Sequence, residues 1–140
     1  MIVVDTNIIS ELSKPHPDQT ALLWFDHADP FELYISDVTV MELIYGAERY
    51  HIRHGSDRYH KIARELIEGK FHGRILNLEQ EAFSLAGLIR AQREMSGRMM
   101  SPQDAMIAAI CLQHGATLAT RNTKDFQGLD LTLVNPFEGA

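Results

Sequence analysis

Four acidic residues of this chain stand at the ends of apolar segments or near the starts of predicted helices. Asp5 follows the apolar segment 2–4, and Glu42, Asp104 and Asp125 occupy comparable positions further along the chain. In an open parallel sheet, such side chains face the crevice outside the carboxyl ends of the strands. Carboxylates that meet there repel one another unless a cation lies between them. The pattern therefore predicts a site for Mg²⁺ or Mn²⁺ built from oxygen ligands.

The first two acidic residues also have structural interpretations. Asp5, or Thr6 beside it, is suited to cap the predicted helical run 8–12, because short oxygen side chains satisfy the free N–H groups of a helix start. Glu42 lies in the segment 38–45, which is apolar on nearly every side. Such a carboxylate needs water, a partner or a metal, since burying it unpaired is costly. Its position on a single polar stripe of the helix is as compatible with the sequence as a metal site.

The last two acidic residues have equally ordinary explanations. Asp104 is the third residue after Ser101, with Pro between them, in a well-formed helix start whose predicted end is Gly115. Asp125 fits a turn after the strand 117–120. The metal-site prediction therefore depends on the joint occurrence of the four acidic residues and on no single one.

The elements that must position these residues alternate along the chain. Short apolar runs predict strands at 2–4, 33–36, 75–78, 117–120 and 131–134. Helical stripes lie between them, one over residues 59–67 and another over 82–89 that starts near Glu79. Residues 54–57 predict a turn between two helices, and residues 96–100 a mobile loop ahead of Asp104. Strands alternating with helices indicate an α/β fold with a central, mostly parallel sheet of about five strands.

The composition is that of an ordinary globular chain. The 140 residues are 45% hydrophobic and 23% charged, which predicts one domain spanning 1–140. We find neither a membrane-length apolar run nor a basic, leader-like N-terminus. The single cysteine, Cys111, lies in an apolar run and is expected to be buried. These features favour a cytoplasmic protein without a membrane partner.

The charge is distributed unevenly. Residues 49–74 contain seven Lys and Arg against three Asp and Glu, so this segment carries +4 and the rest of the chain −10 of the total −6. Such asymmetry can mark a surface for an anionic partner. A solvated helical face explains it as well and is the slightly favoured interpretation.

The motifs taken together resemble the PIN-domain family, in particular the VapC toxins of the FitB-like branch. The resemblance spans essentially the whole chain, with its blocks in order: IVVDTN at 2–7, SDVTVMELIYG at 36–46, DAMIAA at 104–109, ATRNTKDF at 119–126 and NPF at 135–137. It implies a three-layer α/β/α domain with Mg²⁺, or Mn²⁺, in an acidic pocket.

The resemblance assigns roles residue by residue. Asp5, Glu42 and Asp104 match the three acidic, metal-binding positions of the pocket. Asn122 stands where many relatives carry Asp, and Asp125, three residues later, is the candidate to supply the missing charge. These five residues are the predicted catalytic set. Thr6 and Asn7 are the predicted supports of the metal ligands, and the predicted contacts to RNA phosphates are Arg98, Arg121 and Lys124.

The function implied by the resemblance is that of a toxin. It is a metal-dependent endoribonuclease that hydrolyses RNA phosphodiesters in a tRNA or another structured RNA, within a type II, VapBC-like toxin–antitoxin system. A cognate VapB-type antitoxin would block the pocket and bind the helical pair around 37–69. Contact with DNA would be made only through this antitoxin. The toxin itself would be a homodimer. The basic segment then has a third interpretation, as an antitoxin surface. The alternative is a non-catalytic, toxin-like subunit that acts only within a DNA-bound repressor complex, a possibility raised by Asn122.

Three other enzyme or signalling classes with an acidic site fit less well. Phosphatases of the haloacid-dehalogenase type need a second Asp two residues after the first, where this chain has Asn7. Response-regulator receiver domains open their pocket with paired acids, which are absent around Asp5. Flap nucleases share PIN-type chemistry, but this chain has no spare length for a DNA-threading arch.

Overall fold

A computed structural model describes residues 1–138 of the chain and consists of a five-stranded parallel sheet between helical layers. The strands are β1 (Ile2–Val4), β2 (Leu33–Ser36), β3 (Ile75–Leu76), β4 (Thr117–Ala119) and β5 (Thr132–Val134). Their spatial order is β3-β2-β1-β4-β5, so the first strand lies in the centre. The predicted three-layer α/β/α class and the parallel sheet are confirmed.

Six α-helices connect and cover the strands: α1 (Thr6–Leu12), α2 (Gln19–His27), α3 (Asp37–His54), α4 (Arg58–Glu65), α5 (Gln80–Met95) and α6 (Pro102–His114). A π-helical turn, Leu66–Lys70, extends α4, and 3₁₀ turns lie at Pro30–Glu32, Thr123–Phe126 and Pro136–Glu138. Among residues 1–138, no helix combines the length and the apolar character needed to cross a membrane.

The alternation of side chains along β1 divides the core into two halves. Val3 packs on one face of the sheet with residues of α5 and α6, whereas Val4 packs on the other with residues of α1 and α2. Both valines are almost inaccessible to solvent. Strands buried on both faces are the usual consequence of helices covering a parallel sheet. This burial fixes the carboxyl end of β1, and with it the position of Asp5.

Most predicted elements are present; the strands predicted at 117–120 and 131–134 are one residue shorter, as Thr117–Ala119 and Thr132–Val134, and three larger differences remain. The helix predicted at 8–12 begins at Thr6, and α2 was not predicted, although Asp18 caps its start by accepting a hydrogen bond from the Ala21 N–H at 3.0 Å. The strand predicted at 75–78 ends at Leu76. Beyond that end, the N–H of Leu78 donates to Oδ2 of Asp37 at 3.0 Å.

Helix ends and loops follow the sequence signals closely. Gly115 ends α6 in the left-handed region, with φ of 62°, and Gly55 ends α3 in the same way, with φ of 71°. The predicted turn at 54–57 therefore joins α3 to α4, as expected. Residues 96–100, together with the cap Ser101, connect α5 to α6. Cys111 is buried, as predicted, and burial raises the pKa of its thiol to about 12.

The basic segment 49–74 covers the end of α3, α4 and the turn that follows. Six of its seven basic side chains are exposed, namely Arg49, Arg53, Arg58, Lys61, Arg64 and Lys70. Arg74 is half-buried because its Nε donates to the carbonyl of Leu33 at 3.1 Å. These exposures agree with a solvated helical face and leave the surface open to a partner.

Candidate active site

The carboxyl edge of the central strands forms an open cleft of about 450 Å³. Its lining contains three of the four acidic residues named from the sequence, Asp5, Glu42 and Asp104. The other lining residues are Thr6, Asn7, Ser10, Glu11, Lys14, Arg121 and Asn122. The fold therefore brings together side chains that are up to 117 positions apart in the sequence.

Asp5 is both a helix cap and a buried charge. Its side chain is only 5% exposed. Oδ1 accepts a hydrogen bond from the N–H of Thr6 at 2.7 Å, and Oδ2 accepts one from the hydroxyl of Thr120 at 2.8 Å. Burial raises the pKa of Asp5, and the charges of Glu42 and Asp125 raise it further, against the two hydrogen bonds, which lower it. Asp5 therefore caps α1 and also lines the cleft.

Glu42 is half-buried on α3 and faces the cleft. Its Oε1 accepts a hydrogen bond from the hydroxyl of Thr6 at 2.8 Å. The Thr6 oxygen also lies 2.9 Å from the hydroxyl of Thr39, which is buried. Because Thr6 has one hydroxyl hydrogen and gives it to Glu42, Thr39 must donate to Thr6. This chain of hydroxyls fixes the direction in which Glu42 points.

Asp104 enters the cleft from the first turn of α6. The helix cap is Ser101, whose Oγ accepts a hydrogen bond from the Asp104 N–H at 3.1 Å. Burial raises the pKa of Asp104 to about 6, and the charges of Asp5 and Asp125 add to that effect, against Ser101, which lowers it. Asp104 and Asp5 therefore lie in the same cleft, as the sequence predicted, and the predicted cap formed by Ser101 is also present.

Thr120 is an important residue that sequence reasoning missed. Its side chain is fully buried at the end of β4, the strand beside β1. The hydroxyl donates to Asp5 and accepts hydrogen bonds from the N–H of Asn122 at 3.1 Å and from Nδ2 of Asn7 at 3.4 Å. The sequence signal that could have indicated this role is a hydroxyl residue at the end of a predicted strand. Asp5 occupies the same kind of position after β1.

Asn7 and Arg121 form the wall of the cleft next to the turn after β4. Oδ1 of Asn7 accepts a hydrogen bond from the Arg121 N–H at 3.4 Å, so Asn7 holds the turn after β4 and reaches Asp5 only through Thr120. The guanidinium of Arg121 lies 4.2 Å from the centre of the Phe137 ring. Nδ2 of Asn135 donates to the Arg121 carbonyl at 3.4 Å. The closing Asn-Pro-Phe segment thus supports this wall.

Three of the residues named from the sequence lie outside the lining of the cleft: Arg98, Lys124 and Asp125. Asp125 is exposed, but its charge reaches the site, since it raises the pKa of both Asp5 and Asp104. Arg98 donates to the carbonyl of Gln127 at 3.4 Å. Arg93, which is buried, donates to the same carbonyl and ties α5 to the loop after Asp125.

Comparison with known proteins places these features in a family. The model of the PIN domain family matches residues 2–130. The chain belongs to the PIN-domain family. The VapC ribonuclease Y4jK of Sinorhizobium fredii is 35% identical over 144 residues, which cover 100% of both chains. The Toxin FitB of Neisseria gonorrhoeae is 32% identical and covers 98% of this chain and 99% of its own.

A solved structure supports the same assignment. The structure of FitAB bound to an IR36 DNA fragment contains a chain that superimposes on this PIN domain with a TM-score of 0.86 at 30% identity. The match covers 98% of this chain and 96% of that one. The resemblance to the VapC and FitB group, seen first in the motifs, is therefore confirmed over the full length of the domain.

The donor set of the PIN-domain cleft suits a hard divalent cation. The acidic side chains offer oxygen only, an amide oxygen is added by Asn122, and neither thiol nor imidazole lines the cleft. Within residues 1–138, no three acidic, histidine or cysteine side chains lie close enough together to hold a metal ion by themselves. Mg²⁺ is usually held by one or two carboxylates, with water and substrate phosphates completing its shell. An open acidic cleft fits that mode of binding.

A testable consequence concerns Thr120. Thr120→Val keeps the shape of the side chain but removes the donor to Asp5 and the acceptor for the Asn122 N–H. We expect a loss of about 1–3 kcal/mol in the free energy of unfolding, because buried polar groups lose their partners. Chemical denaturation measures this loss, with Thr132→Val on the exposed face of β5 as the matched control. Equal stability of the two variants would contradict the assigned role of Thr120.

Proposed function

We propose that this PIN domain is a Mg²⁺-dependent endoribonuclease and the toxin of a type II, VapBC-like toxin–antitoxin pair. The observation that carries the proposal is the meeting of Asp5, Glu42 and Asp104 in one cleft at the carboxyl edge of the sheet. The ribonuclease and toxin names of full-length relatives support the same conclusion. The substrate is an RNA phosphodiester, in a tRNA or another structured RNA, and Mn²⁺ is the alternative ion.

The residues of the cleft have distinct proposed roles. Asp5, Glu42 and Asp104 would supply the carboxylate ligands of the ion, and Asn122 would offer a neutral oxygen beside them. Bound Mg²⁺ would supply Lewis-acid activation of the scissile phosphate and of the attacking water. The hydroxyls of Thr6 and Thr120 fix the carboxylates of Glu42 and Asp5, and such supports matter about 10–100-fold for metal affinity or activity. Asp125 adds negative charge from outside the cleft.

RNA reaches an acidic cleft only if positive charge offsets the carboxylates. The ion does so in part, because it inverts the local field. Arg121, which lines the cleft, is the best placed of the three arginine and lysine candidates. Lys124 and Arg98 lie outside the lining and would contact RNA only beyond the scissile phosphate.

The proposed partners follow from the toxin role. A VapB-type antitoxin would block the cleft and hold the α3–α4 pair, and the toxin would act as a cytoplasmic homodimer. DNA contact would be indirect, through the antitoxin, in keeping with the related FitAB structure bound to a DNA fragment.

The alternative is a subunit without catalytic activity, which works only inside a DNA-bound repressor complex. Asn122 favours it, because the amide lines the cleft where a further carboxylate would strengthen cation binding. The two functions predict different results in an RNA cleavage assay. A repressor subunit cleaves no RNA, whereas the enzyme cleaves it only with a divalent ion.

The deciding experiment is incubation of total bacterial RNA with antitoxin-free protein in Mg²⁺, in Mn²⁺ and in EDTA. We expect discrete fragments with either ion and none in EDTA, and sequencing of the fragment ends then identifies the RNA. Intact RNA at saturating metal, from protein shown to be folded by circular dichroism, would favour the non-catalytic alternative.

A further inference from the structure

Lys14 is a basic residue of the cleft that the sequence motifs do not single out. It follows α1 and lines the cleft together with the three acidic residues. Its side chain is 57% exposed, so the ammonium group remains accessible from solution. Nζ lies 3.0 Å from Oε1 of Glu11 on the last turn of α1.

Glu11 gives this lysine a fixed position. The Glu11 side chain is only 11% exposed, and its Oε2 accepts a hydrogen bond from the Asp18 N–H at 3.0 Å. Lys14, the Asp18 N–H and the charge of Arg121 together hold the pKa of Glu11 below its usual range. Glu11 therefore stays ionised and keeps Lys14 beside the cleft mouth.

Lys14 also stands where two cavities meet. An adjoining cavity of about 280 Å³ lies between α1, α3 and α4, and it shares Ser10, Lys14 and Glu42 with the acidic cleft. Lys14 therefore lies at the boundary between the acidic cleft and this cavity. Among the cleft-lining residues, Lys14 and Arg121 are the two cations.

We propose that Lys14 binds a phosphate of the RNA next to the one that is cut. The inference deepens the proposed function and rests on it. Only the lysine end of the Lys14–Glu11 pair is exposed, but Glu11 keeps its hydrogen bond from the Asp18 N–H when the ammonium group turns to a phosphate, so the lysine can exchange partners without leaving the carboxylate unpaired. Glu11 acts as a positioning residue: it orients the lysine in the free protein, and the bound phosphate replaces it as the partner of Nζ.

The test is steady-state cleavage of a labelled RNA that contains the mapped site, with KM and kcat measured separately at several salt concentrations. For Lys14→Met we expect KM to rise about tenfold, as for a lost hydrogen bond to a charged group, with kcat little changed. The slope of log(kcat/KM) against log[salt] should become shallower by about 0.7, which corresponds to one phosphate contact on a single strand. Lys14→Arg, which retains the charge, should recover most of the affinity.

Two variants separate a phosphate contact from simpler effects. Arg90→Met removes an exposed cation on α5, away from the cleft and from the basic segment 49–74, and should leave KM unchanged. Glu11→Gln combined with Lys14→Met removes the carboxylate that the lysine variant leaves unpaired. If KM stays high in the double variant, Lys14 itself binds the RNA; if KM returns to the wild-type value, repulsion by Glu11 was the cause and the inference fails.

The result also distinguishes this inference from the function on which it rests. Wild-type cleavage with an unchanged KM and salt slope in Lys14→Met overturns the role of Lys14 alone. Absence of wild-type cleavage overturns the proposed enzyme and the Lys14 role together.

Discussion

Asp5→Asn is expected to reduce metal-dependent RNA cleavage at least about a thousandfold while the protein remains folded, since a lost metal ligand costs several kcal/mol of transition-state stabilisation. Asparagine retains an oxygen that can accept the hydrogen bond from the Thr6 N–H at the helix start. It loses the charge that holds the cation. It also meets the Thr120 hydroxyl with an amide in place of a carboxylate oxygen, which costs some stability.

The measurement compares initial cleavage rates of wild type and variant at saturating Mg²⁺, with circular dichroism and thermal unfolding as checks of the fold. Asp29→Asn is the matched control, because Asp29 is also an aspartate cap, accepting from the Phe31 N–H at 3.0 Å. It lies before β2, at the opposite edge of the sheet from the cleft. A folded Asp5→Asn protein that cleaves RNA within tenfold of the wild-type rate would remove Asp5 from the site.

The positions of the acidic residues could be predicted because local patterns determine them. An apolar run followed by Asp5 marks a strand end, and the Ser101 and Gly115 signals mark both ends of α6. Carboxyl ends of parallel strands share one edge, and α6 runs back across the sheet into β4, so its start and Asp104 lie at the same edge as Asp5. Glu42 followed from the same reasoning, because α3 starts directly after β2.

The contacts that orient those carboxylates could not be predicted in the same way. Thr120 reaches Asp5 because β4 pairs with β1, and that neighbour relation is a property of the sheet order, which no local pattern contains. The same is true of Thr39 and Thr6, which lie 33 positions apart and meet only when α3 packs beside α1.

Lys14 and the end of β3 show the same limit of local patterns. In the sequence, Lys14 has the features of an ordinary surface lysine. In the fold, it follows α1 and lines the cleft. The strand β3 is shorter than predicted, and the Leu78 N–H beyond its end donates to the Asp37 carboxylate, 41 positions away. In both cases the tertiary fold decides what the local sequence leaves open.

Asp104 is expected to make both stability and Mg²⁺ binding depend on pH in the range around 6. Its pKa in the folded protein is about 6, against 3.8 for an ordinary aspartate, because of burial and of the charges of Asp5 and Asp125. Between these two values the folded protein retains a proton that the unfolded chain has released. The free energy of unfolding of the metal-free protein should therefore fall as the pH rises through this window, and the loss persists above pH 6.

Mg²⁺ reverses that loss because it binds the ionised carboxylates. At pH 8 and a hundredfold excess over Kd, a ligand of the folded state adds about 2.7 kcal/mol to the free energy of unfolding. For a domain of this size, that gain corresponds to a rise of roughly 5–10 °C in Tm. At pH 5 protons compete for Asp104, so the same Mg²⁺ concentration should raise Tm much less. Thermal unfolding at both pH values, with and without MgCl₂, measures the difference.

Asp104→Asn separates the charge from the fold. The amide cannot ionise, so the metal-free variant should be more stable than wild type at pH 8 and should gain little from Mg²⁺. Asp29→Asn should behave as wild type in both respects. Equal Mg²⁺ stabilisation of wild type at pH 5 and pH 8 would show that Asp104 takes no part in holding the ion. The expected opposition between metal-free stability and Mg²⁺ affinity arises because burial and the charges of Asp5 and Asp125 disfavour the ionised form of Asp104, which is the form that a bound cation favours.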